Sequence, residues 1–178
     1  MAHWVALLRA INVGKRRYPM AELREVLDAA GFGPAETHIQ TGNALVESGL
    51  DSAAELESAL EAVFAQDRGF EVPTMCLRPS EVAEMVAVHE ALVGEYRPSA
   101  TTYVCVLKRP PSAVVAAAVE DMSVPGERLV VRGRAIHMLT DVSFHELRVN
   151  WGKVEKIAGP LTNRNANVMR ALALKWAD

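Results

Sequence analysis

A chain of 178 residues, half of them hydrophobic and 23% charged, with 11 glycines and 9 prolines, has an ordinary globular balance and is neither disordered nor fibrous. Its two cysteines, Cys76 and Cys105, each sit inside an apolar run, so neither a disulfide framework nor a thiolate metal site is expected, and a reducing, cytoplasmic setting fits. The formal net charge of −3 argues against a general coat for nucleic acid.

The charge is unevenly spread. Tyr18 to Arg68 carries ten acids against two Lys/Arg, whereas Arg148 to Asp178 carries six Lys/Arg against two acids, and Lys15, Arg16 and Arg17 form a basic knot. Trp4 to Leu8 is only strand length before Arg9 interrupts it, so no leader peptide and no membrane-spanning segment are expected.

Trp4 to Leu8 reads as a buried strand ending in the loop Arg9-Ala10-Ile11-Asn12-Val13-Gly14. Pro19 suits a first helical position, Leu23, Val26, Leu27 and Ala30 follow a helical stripe, and Gly31 supplies the stop. Thr37 to Gln40 and Ala44 to Glu47 then flank Thr41-Gly42-Asn43, a tripeptide suited to a hairpin turn because Gly and Asn tolerate positive φ. Ser52 and Glu55 are spaced as a capping box opening a second helix that buries Leu56, Leu60, Val63 and Phe64 and ends at Gly69. Val72 to Leu77 gives a fourth strand. The order strand, helix, strand, strand, helix, strand predicts a ferredoxin-like α+β subdomain over residues 1–78, an antiparallel sheet with its helices packed on one face.

The remainder, residues 79–178, repeats part of this grammar. A helix around Val82 to Val93 leads through the polar segment Gly94 to Ser99 to a strand at Thr102 to Leu107, and Pro110 and Pro111 open an Ala/Val-rich helix. Gly133-Arg134 joins the strands Arg128 to Arg132 and Ala135 to Leu139 as a type II′ turn would. Ser143 and Glu146 make another capping box, Lys153 to Ala158 ends at Gly159-Pro160, and a last helix aligns Val168, Met169, Leu172, Ala173 and Trp176. A second α+β subdomain with extra helices is expected here.

Familiar chemical motifs fail on inspection. Gly14-Lys15 lacks both the earlier glycine and the following hydroxyl residue of a phosphate-binding loop, having Arg9 and Arg16 at those places. Gly31-Phe32-Gly33 follows a helix rather than a strand, so a dinucleotide fingerprint is excluded. The five histidines show no metal-ligand spacing, and no metal or cofactor is expected. Cys76 precedes Arg78 on a predicted strand, where a buried core thiol is the commoner outcome than a reactive one. Aromatic residues are only 6%, too few for an RNA-stacking sheet.

Three polar segments stand out: the loop from Arg9 through Asn12 and Gly14 to Lys15, the turn Gln40-Thr41-Gly42-Asn43, and Thr162-Asn163-Arg164-Asn165-Ala166-Asn167. The last is read as opening the terminal helix, where free N–H groups favour an anion and Arg164 clamps it. Ordinary turn and cap chemistry explains the same residues: Asn163 or Asn165 as a cap, Thr41-Gly42-Asn43 as a hairpin, Gly14 as a loop end.

The segments Ala6 to Gly14, Pro19 to Arg24, Ile39 to Asn43 and Thr162 to Asn165 together resemble a bacterial family known as domain of unknown function 1697. The resemblance implies two ferredoxin-like subdomains, and it implies no activity, substrate or cofactor. Against the family pattern, Ala10 stands where Gly is usual, Thr41 for Ser, Ala166 for Trp and Val168 for Thr. Ala10 puts any need for positive φ or close ligand approach in question.

Three functions are carried forward. The first is a binding protein for a phosphate-bearing ligand or nucleic acid, using Arg9, Asn12, Gly14, Lys15, Gln40, Thr41, Gly42 and Asn43 together with Thr162, Arg164, Asn165 and Asn167. The second is an enzyme acting on a small phosphorylated molecule with Lys15 or Arg164 stabilising charge, for which no general base is evident. The third is an interaction protein in which the loops only cap elements.

Overall fold

A computed structural model describes residues 1–176. By its internal contacts the chain divides into two units, Met1–Val82 with the chain end from Lys175, and Ala83–Leu174.

In the first unit the elements are β1 (Ala2–Leu8), α1 (Met20–Ala29), β2 (Glu36–His38), β3 (Asn43–Ser48), α2 (Ala53–Arg68) and β4 (Thr74–Leu77). The sheet order is β2-β3-β1-β4, antiparallel throughout, as a ferredoxin-like βαββαβ chain requires. Alternation along β1 puts Trp4, Ala6 and Leu8 on the helical face, where they pack with Ala44, Val46 and Cys76 against Leu23 and Leu27 of α1 and Leu56, Leu60 and Phe64 of α2. Local signals set the helix ends. The Ser52 hydroxyl accepts from Glu55 N–H at 3.4 Å, and Gly69 stops α2 at φ 70°, while Pro19 stands just before α1 rather than inside it.

Edge strand β4 is protected by two carboxylates of α2, one buried and one half-buried. Glu57 accepts from Cys76 N–H at 3.0 Å and Glu61 from Thr74 N–H at 2.8 Å, so donors that would template another chain are already satisfied.

The second unit contains most of α3 (Pro79–Tyr96), then β5 (Tyr103–Leu107), α4 (Ala113–Glu120), β6 (Glu127–Arg132), β7 (Ala135–Thr140), a 3-10 turn (Phe144–Glu146), α5 (Trp151–Ala158), β8 (Leu161–Asn165) and α6 (Ala166–Lys175). Its sheet order, β6-β7-β5-β8, repeats the first, so this unit too is ferredoxin-like. Cys105, Leu107, Leu129, Val131, Ile136 and Met138 face the side covered by α4 and α5, with Val119 and Val154 among their partners. On the opposite face Val130 and Leu139 pack with Leu92 of α3, so here helices cover both faces. Edge strand β6 repeats the edge device of the first unit, Glu120 of α4 accepting from Val131 N–H at 2.7 Å.

Two readings are corrected. The segment Gly94 to Tyr96 is helical rather than polar loop, because α3 extends in both directions beyond its apolar stripe. Thr162 to Asn165 is strand rather than helix-opening turn: Asn165, Arg164, Asn163 and Thr162 pair with Tyr103, Val104, Cys105 and Val106, and pairing with β5 overrides the segment's low strand propensity.

Candidate functional site

The β1–α1 connection is built around Asn12. Its side-chain N–H groups donate to the carbonyls of Tyr18 at 2.9 Å and Gln40 at 2.8 Å, and its Oδ1 accepts from Tyr18 N–H at 2.8 Å. One amide thereby closes its own loop and ties it to the β2–β3 turn. Arg9 N–H donates to Pro73 at 2.8 Å, and Ile11 drops into the core as the loop's apolar anchor.

The turn meets this loop at Gly42. Leu8 N–H donates to Gly42 C=O at 2.8 Å. A Cβ on Gly42 would lie 2.8 Å from Ile11 Cδ1 and 2.9 Å from Leu8 Cβ, and φ there is 75°, so only glycine lets the two segments approach. Asn43 is not in the turn as expected. It is the first residue of β3, fully buried, and its amide donates to His38 C=O at 3.0 Å and Thr41 Oγ1 at 2.9 Å. The left-handed residues of the turn are Ile39 and Gly42 instead.

Three residues of the loop are left-handed in alternation, Ala10 at φ 54°, Asn12 at 56° and Gly14 at 56°, separated by Ile11 and Val13 with negative φ. Alternating backbone handedness is the pattern by which a backbone nest aims successive N–H groups at an anion. The N–H groups of Ala10, Ile11 and Gly14 meet no acceptor among the described residues. Around them Lys15 and Arg17 are exposed, with no ion pair among the described residues, and Arg9 is half-buried. Arg16 is docked instead, over the Phe70 ring at 4.8 Å and donating to Glu71 C=O. Gln40 and Thr41 are exposed beside the loop, and Thr41 Oγ1 is already an acceptor for Asn43.

The third polar segment belongs to the second unit. Thr162 and Arg164 are buried strand residues, and Arg164 Nη1 donates to Thr162 Oγ1 and to Asn163 C=O, both at 2.8 Å. Burial pushes the guanidinium down to about 10, so it stays protonated at neutral pH. It is a strand residue and not a clamp at the opening of α6. The cap is Asn165, whose Oδ1 accepts from Asn167 N–H at 2.8 Å, as cap chemistry predicts.

No spacing signal announced the buried histidine pair of this unit. His89 of α3 and His137 of β7 face each other with Nδ1 atoms 3.1 Å apart, and His89 Nε2 lies 2.7 Å from Thr102 Oγ1. His137 Nε2 is buried without a partner. Burial lowers both imidazoles, His137 to about 4, where the neighbouring His89 and Arg132 also act. The two lie 48 positions apart in the chain, so no spacing rule links them. The one available hint was a histidine alternating with Ile136 and Met138 on a buried strand.

Paired βαββαβ units with a cation-bearing β1–α1 loop define a double ferredoxin-like α+β protein. The chain belongs to the family described as "Protein of unknown function (DUF1697)", whose model matches residues 1–137. In structure it is similar to a conserved bacterial protein, SP0830 from Streptococcus pneumoniae, with a TM-score of 0.68 and 24% identity over 100% of this chain and 99% of that one. That likeness concerns the fold alone. No curated protein matches the chain in sequence. No described helix is long and apolar enough to cross a membrane, and no described cluster of three or more His, Cys, Asp or Glu side chains could hold a metal ion.

Proposed function

We propose that the protein binds a phosphate-bearing ligand, either a small phosphorylated molecule or single-stranded nucleic acid, at the β1–α1 loop and the adjoining Gln40-Thr41 turn. The observation that carries this reading is the alternation of left-handed residues at Ala10, Asn12 and Gly14 in a loop bearing Lys15 and Arg17. Unclaimed N–H groups supply directional donors, and the exposed cations supply attraction that is strong at low ionic strength and screened by salt. Asn12, Gly42 and Asn43 act in this site as its frame, holding loop and turn together, while Arg9, Lys15, Arg17 and Thr41 face the ligand.

A cytoplasmic setting accompanies the proposal, supported by Cys76 and Cys105, both buried and not joined in a disulfide.

The test is retention on nucleotide resin and anisotropy of a labelled single-stranded oligonucleotide across a salt series. Binding that weakens with salt is expected, with Lys15→Gln and Arg17→Gln each reducing the logarithmic salt slope by about one where the phosphate contact is lost. No retention at low salt, or slopes unchanged in both variants, removes the proposal.

A further inference from the structure

The second unit has a recess of about 430 Å³ lined by Thr102, Asn165, Asn167 and Arg170 among others. That volume lies within the range of about 300–1,000 Å³ typical of small-molecule sites. Its polar lining is lopsided in hydrogen-bond character, and the imbalance follows group by group.

Thr102 is the first case. His137 Nε2 has no partner among the described residues, and an orphaned lone pair there is cheaper than an orphaned N–H, so hydrogen-bond satisfaction assigns the proton of His137 to Nδ1, donating to His89 Nδ1. His89 then carries its proton on Nε2 and donates it to Thr102 Oγ1 at 2.7 Å. The Thr102 hydroxyl is thus held as an acceptor on one side. Its own O–H is left to donate elsewhere, although the residue is only 8% exposed.

The amides follow the same pattern. Asn165 Oδ1 is occupied by Asn167 N–H, and Asn167 Oδ1 is occupied by Arg170 Nη1. Both side-chain NH₂ groups are therefore unclaimed donors among the described residues. Arg170 Nε donates to Glu90 Oε1 at 2.6 Å, which leaves Nη2 over. Each amide oxygen in this group already holds a hydrogen bond, so the polar groups left with none are the donors.

We propose that this recess is a binding site for the carboxylate of a small organic acid. Surplus donors select a ligand end that only accepts. Charge narrows the class further: Glu90 offsets Arg170, so the recess holds no surplus cation, and a singly charged end is opposed less by Glu90 than a phosphate dianion is. The His89–His137 pair serves as a positioning device that fixes the Thr102 rotor from behind.

The experiment is a titration of the intact protein, followed by NMR of backbone and side-chain amides, with acetate, inorganic phosphate and acetamide as probes. Acetate is expected to give saturable shifts at Thr102, Asn165 and Asn167, with acetamide inert and phosphate weaker. Thr102→Val, which keeps the shape but removes the hydroxyl, and Arg170→Gln should each weaken acetate about tenfold, the usual size for a hydrogen bond to a charged group. Lys15→Gln should leave this titration unchanged, which keeps it distinct from the β1–α1 loop. Acetamide matching acetate, phosphate outbinding it, an unsaturable response, or full affinity in Arg170→Gln would each overturn the assignment.

Discussion

Acidification should destabilise this protein through its histidine pair before most carboxylates are protonated. In the folded state His137 is neutral down to about 4, against 6.5 in an unfolded chain. Below 6.5 the unfolded chain takes up a proton that the buried imidazole refuses, so the stabilisation is complete above 6.5 and is lost as pH falls toward the folded value. At about 1.4 kcal/mol per pH unit, the interval comes to about 3 kcal/mol, a large share of a typical 5–15 kcal/mol domain stability. His89 is shifted in the same direction and adds to the slope. A second proton on the pair would set two cations against each other across the 3.1 Å contact, which keeps the folded-state value low. The assay is urea unfolding at a series of pH values from neutral to about 4, with wild type compared with the double variant His89→Leu/His137→Leu. Both chains share the carboxylate titrations, so their difference isolates the imidazoles. The wild type should lose about 3 kcal/mol more than the variant across this interval. Equal slopes in the two chains would refute the reasoning, as would an NMR titration placing His137 near its ordinary value.

Backbone conformation yields two further expectations. Gly42→Ala forces a side chain into left-handed backbone and against Ile11 and Leu8, and should cost about 2–4 kcal/mol in chemical unfolding; a loss under about 0.5 kcal/mol would show that the loop yields freely. Ala10→Gly relieves the strain of φ 54° but adds freedom to the unfolded chain, so a net gain of about 0.5 kcal/mol is expected by the same method, and a clear loss would contradict the left-handed assignment.

That last position bears on the family resemblance. A glycine is usual where Ala10 stands, and the backbone there is left-handed. The alanine adopts it at a cost because Asn12, Ile11 and Arg9 anchor the loop on either side, through side-chain hydrogen bonds, apolar burial and a backbone bond. Strain held in this way is compatible with a left-handed residue being kept at this position.

The sequence by itself determined the element order of the first unit, and that of the second except for β8, because periodicity, caps such as Ser52 and stops such as Gly69 are local, and local chemistry survives without knowledge of the partner. It also brought Arg9 to Gly14 and Gln40 to Asn43 forward as polar and unusual. Tertiary structure alone decided what those residues do: Asn43 leaves the turn for a buried strand, and Arg164 is drawn into β8 by pairing with β5. It alone joined His89, His137 and Thr102, whose meeting depends on one helix crossing one sheet face. The physical reason is range. Turn preference and amphipathic period act over a few residues, whereas burial, strand pairing and hydrogen-bond satisfaction depend on groups brought together from distant parts of the chain.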